Sequence, residues 1–115
     1  MATVSICAGG SAGPDPIGIW TRQDGDTRIQ IAPCGSNLCA VNTWVRDPQG
    51  SEMVGDTLVL TLTPASPSVL KGRAYDQRRQ MTYSMTITFD PAGMTTHGCV
   101  VFGLLCKTAE WAREP

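Results

Sequence analysis

The chain reads as all-β, a single eight-stranded antiparallel up-and-down barrel carrying two local disulfides. Three observations predict this. No stretch has a convincing helical period, apolar and polar residues alternate at period two through several segments, and short turns rich in Gly, Pro and Asp separate those segments. Eight sequential strands joined by short turns favour closure, because a closed sheet leaves no exposed edge.

The first strand is expected at Ile17 to Arg22. Asp24-Gly25 follows as a tight-turn dipeptide, since Gly accepts positive φ without steric cost, and it leads into strand two, Thr27 to Ala32. Cys34 to Cys39 turns the chain into strand three, Ala40 to Val45. Arg46 to Ser51 is a loop by composition, and strand four runs from Val54 to Thr63, where Leu58, Leu60 and Leu62 alternate with Val59, Thr61 and Thr63.

Pro64 to Ser68 forms the next turn, Val69 to Tyr75 the fifth strand, and Asp76 to Gln80 a polar, basic connection. The clearest signal comes next. Met81, Tyr83, Met85, Ile87 and Phe89 alternate with Thr82, Ser84, Thr86 and Thr88, a strand with one apolar and one hydroxyl-bearing face. Asp90-Pro91-Ala92-Gly93 is a β-turn, Met94 to Val101 strand seven, Phe102-Gly103 the last turn and Leu104 to Arg113 strand eight.

At 115 residues the chain suits one domain with one core, assigned to residues 15–115, after an N-terminal segment, residues 1–14, read as disordered. That segment is uncharged through Gly13 and suits the tail of a secretory signal, with Gly10-Ser11-Ala12 as a small-residue cleavage site. Cys7 offers a second reading as a lipid attachment site, although Ile6 before it is a poor match to the small residue expected there. A net charge of -1 provides no basic field for nucleic acid, and no apolar run is long enough for a spanning helix.

Five cysteines include two close pairs, Cys34 with Cys39 and Cys99 with Cys106. In an oxidising compartment these are disulfides, whereas in the cytosol four thiolates suggest zinc. The spacings inside strand-like sequence favour disulfides and a periplasmic or secreted protein. Without the two-residue spacing at a helix start they read as staples and not as redox catalysts.

Gly18-Ile19-Trp20 in the first strand, with Arg113 in the last, resembles the lipocalin and avidin-like (calycin) signature. That resemblance implies a Trp plugging one barrel end and an Arg packed over it, so Gly18, Trp20 and Arg113 are expected to close the barrel. A narrower resemblance spans Asp15 to Arg113. Pro16-Ile17-Gly18-Ile19-Trp20, Trp44-Val45-Arg46-Asp47-Pro48, Met94-Thr95-Thr96-His97-Gly98-Cys99-Val100 and Gly103-Leu104-Leu105-Cys106-Lys107 make the chain similar to bacterial domain-of-unknown-function family 2147, small exported proteins. The segment after Pro48 is shorter than the Gly- and Pro-rich insertion many members carry, and the resemblance implies no activity.

Candidate site residues are few. Trp44, Tyr75, Met81, Tyr83 and Met85 are the expected ligand-facing side chains of a barrel just wide enough for a filled core or one small ligand. His97, the single histidine, has no sequence-evident nucleophile, and Asp24, Asp26, Glu52 and Asp56 read as solvated loop carboxylates. The basic cluster of Lys71, Arg73, Arg78 and Arg79 reads as a solvated hairpin end. No catalytic residue, metal site or cofactor is expected, since phosphate-loop, nucleophile-elbow and histidine metal motifs are missing from the sequence.

The expected function is non-enzymatic binding of a small apolar or amphipathic ligand at the barrel end away from Trp20. The alternative is a structural or protein-interaction module of the cell envelope, a protease-inhibitor-like barrel with a filled core and an extended N-terminal trunk.

Overall fold

Eight strands close into an antiparallel barrel in chain order. The structure, a computed structural model, describes residues 15–100 and 103–115. The expectations for residues 1–14, Cys7 among them, and for Val101 and Phe102 lie outside the described residues. The strands are β1 (Gly18–Arg22), β2 (Thr27–Cys34), β3 (Asn37–Val45), β4 (Thr57–Ser66), β5 (Val69–Asp76), β6 (Met81–Asp90), β7 (Gly93–Val100) and β8 (Leu105–Arg113). β1 pairs with β8 through Trp20 opposite Arg113 and Arg22 opposite Trp111, which completes the circuit.

Alternation decides which residues face inward. In β2 Thr27, Ile29 and Ile31 are buried while Arg28 and Gln30 are exposed. In β5 Leu70, Ala74 and Asp76 are buried, and in β6 the buried Ile87 lies opposite Leu70. Together with Trp20, Leu60 and Met94 these apolar side chains make one core.

Both cysteine pairs are disulfide-bonded, Cys34 to Cys39 and Cys99 to Cys106. The first flanks a turn shorter than expected. β2 runs on to Cys34 and β3 starts at Asn37, leaving only Gly35 and Ser36 between them. The second lies directly across the β7–β8 ladder.

Strand β4 departs from the sequence reading at both ends. β4 begins at Thr57, so Val54 to Asp56 belong to the preceding loop, and it runs through Pro64 to Ser66, where a turn was expected. The β4–β5 register shifts between Pro64 and Ser66, an irregularity of the kind that admits a proline into a strand. Gly72 in β5 has a packing reason, because a Cβ there would lie 1.9 Å from the Thr61 carbonyl oxygen.

Candidate functional site

The barrel ends differ in chemistry. At one end gather the start of β1, the turns after β2, β4 and β6, and the end of β8. Trp20 lies there, 1% exposed, with its indole Nε1–H donating to Pro16 O at 2.9 Å. The Arg113 guanidinium sits 4.2 Å over the Trp20 ring and donates to Ile17 O and Asp15 O. A cation over an indole face contributes about 0.5–2 kcal/mol, and the two hydrogen bonds hold the chain preceding β1 to the end of β8. Gly18, at φ 145°, leaves the space that the guanidinium fills.

Away from this plug lies a cavity of about 360 Å³. Its depth is apolar, with Ile29, Ile31, Leu60, Tyr83, Met85 and Ile87 among the lining residues. Trp111 adds an indole whose Nε1–H donates to Thr96 Oγ1 at 3.0 Å. The mouth is charged.

There the loop from Arg46 to Asp56 is tied to the barrel as a strap. Arg22 donates to both oxygens of Glu52, at 2.6 and 3.0 Å, and through Nε to Asp24, with its guanidinium 5.9 Å from the Trp111 ring. Thr27 donates to Glu52 as well. The hydrogen bonds from Arg22 hold the Glu52 carboxyl below its ordinary range, burial opposing them. Glu52 in turn raises the pKa of Arg22.

The strap's second attachment uses the hairpin between β5 and β6. Arg78 and Arg79 both donate to Ser51 O, and Arg78 forks onto Asp56. That contact depresses the Asp56 pKa. Asp76, 3% exposed, receives the Arg79 amide and guanidinium and thereby fixes the hairpin. The sequence reading of Glu52 and Asp56 as solvated loop carboxylates is corrected here, whereas Arg78 and Arg79 are exposed, as a solvated hairpin end requires, and are in addition ion-paired. Each acid meets an arginine over 20 residues away, a pairing for which spacing carries no signal.

The five expected ligand-facing residues divide. Tyr83 and Met85 line the cavity. Trp44, Tyr75 and Met81 do not. Trp44 would face inward if the alternation of Ala40 and Asn42 continued, but β2 and β3 shift register so that Arg28 meets Trp44 while Ile29 meets Asn42. The extra residue, Thr43, reverses the parity. Val45 turns inward, and Trp44, 41% exposed, takes the Arg28 guanidinium at 5.7 Å on the outer face. Tyr75, 40% exposed, lies between the buried Ala74 and Asp76 and therefore points out. Met81 keeps the parity of Tyr83 but begins β6 at the rim, 39% exposed.

His97 is on the outer face of β7, outside the cavity lining. Its Nδ1 is 2.7 Å from Thr108 Oγ1 and its Nε2 3.3 Å from Cys99 Sγ. Ligand atoms of His97, Cys99 and Cys106 lie within 4.8 Å of one another, but the two sulfurs are bonded together and present no thiolate to a metal. No helix among the described residues is long and apolar enough to cross a membrane.

A family model described as an uncharacterized protein conserved in bacteria, DUF2147, matches residues 18–113. Comparisons with curated proteins and with solved structures give no significant match.

Proposed function

The chain belongs to the bacterial DUF2147 family, and on that premise we propose that it is a non-enzymatic binding protein for a small apolar or amphipathic ligand held inside the barrel. The cavity carries this reading. At about 360 Å³ with an apolar depth, it lies within the range of small-ligand sites, roughly 300–1,000 Å³, and its charged mouth suits the polar end of an amphipathic molecule. The ligand enters at the strap end, because Trp20 and Arg113 fill the other. The cavity on the strap side supports this over the envelope interaction module, which calls for a filled core.

The protein works outside the cytosol, in the periplasm or as a secreted protein. Two disulfides in a small domain support that placement, since they persist in oxidising compartments. The reading as a binder and not an enzyme draws support from His97 lying outside the cavity lining. Native mass spectrometry of protein purified from its own source tests the proposal. A bound species of constant mass, released on unfolding, is expected; a ligand-free spectrum together with no uptake of added amphiphiles would overturn it.

A further inference from the structure

The register of β7 and β8 assembles four side chains on the outer wall of the barrel. His97 lies opposite Thr108 and Cys99 opposite Cys106, so the chain's single histidine stands beside one of its two disulfides. A disulfide sulfur carries no proton. The contact between His97 Nε2 and Cys99 Sγ therefore requires Nε2–H as donor, and in the neutral ring Nδ1 then accepts from the Thr108 hydroxyl at 2.7 Å. Thr108 thus orients an N–H toward Cys99.

The two sulfurs are not equivalent. Cys106 is exposed and Cys99 is half-buried. An incoming thiolate meets Cys106 first, which makes Cys99 the departing sulfur, and that is the one facing the imidazole. We propose that Cys99–Cys106 is a thiol–disulfide exchange site for an external dithiol, with the His97 Nε2–H stabilising by a hydrogen bond the sulfur that leaves. A thiolate of the dithiol attacks Cys106 Sγ and forms a mixed disulfide. The Cys99–Cys106 bond breaks, its electron pair goes to Cys99 Sγ, and the His97 Nε2–H hydrogen-bonds to the thiolate that forms, which then takes its proton from water. The dithiol's second thiolate then attacks its own sulfur in the mixed disulfide and releases Cys106. Two electrons pass to the chain, and the dithiol leaves as a disulfide.

The other bridge is a built-in control. Cys34 and Cys39 are both half-buried, and among the described residues no titratable side chain is hydrogen-bonded to either sulfur. Gly98 and Lys107, between the four outer residues, turn inward and line the cavity. The exchange site therefore backs onto the cavity wall, although it does not depend on what the cavity holds.

The test is timed reduction of the whole protein by dithiothreitol, with alkylation and peptide mass mapping to follow each bridge separately. In the wild type Cys99–Cys106 should open first, and His97→Gln should slow it about tenfold while leaving Cys34–Cys39 unchanged. Equal rates for the two bridges in the wild type would overturn the proposal. So would a His97→Gln variant that slows neither bridge, or both alike. Thr108→Val, which removes the orienting hydroxyl, should fall between wild type and His97→Gln.

Discussion

Gly18 stands where the Arg113 guanidinium needs space: a Cβ at position 18 would lie 2.7 Å from Arg113 Nη1. Three residues thereby become one device. The glycine admits the arginine, the arginine covers Trp20, and β1 is bound to β8 at the plugged end of the barrel.

Trp20→Ala should cost about 3–5 kcal/mol, because it empties a fully buried indole site and strands the cation above it. Against a total stability of roughly 5–15 kcal/mol for a small domain, thermal unfolding should show a large fall in midpoint. Gly18→Ala should also destabilise, by about 1–3 kcal/mol, since the position combines a positive φ with displacement of Arg113. An unchanged melting temperature in either variant would contradict this account of the plug.

Replacing Cys34 and Cys39 together by Ser should cost about 2 kcal/mol, the value expected for a short closed loop. Denaturant unfolding of the double variant measures it. A cost of 5 kcal/mol or more would mean that the bridge holds more than its own hairpin.

Acid should loosen the strap before it unfolds the barrel. Glu52 and Asp56 have pKa values below their ordinary ones in the folded chain, held there by Arg22 and Arg78. Both favour the fastened strap above their unfolded pKa values, near 4, and lose that contribution as pH falls through the depressed folded values. Amide exchange of the segment between β3 and β4, corrected for intrinsic rates, should accelerate below about pH 4, and Glu52→Gln should show faster exchange already at neutral pH.

Much of the barrel was legible because its signals are local. The Met81 to Phe89 alternation marks a half-buried strand, the paired cysteines mark two hairpins, and Gly18, Trp20 and Arg113 mark the end where the chain closes. What sequence could not carry was pairing between distant segments. Glu52 meets Arg22 and Asp56 meets Arg78 only after the loop folds across the mouth, so both acids read as solvated. Trp44 shows the limit of periodicity, because one unpaired residue at Thr43 sends its indole outward. Pro64 shows the limit of composition, since a strand irregularity admits a residue that otherwise reads as a turn.

The cavity is the central claim, and titration of the protein with 1-octanol and octanoate, followed by native mass spectrometry, tests it most directly. Ala109 faces inward from β8 and lines the cavity, so Ala109→Phe fills part of the space without touching the plug or the strap contacts. The account predicts one saturable molecule per chain, and at least about a tenfold loss of affinity in a folded Ala109→Phe variant. No saturable binding by the wild type, or equal binding by the filled variant, would contradict it.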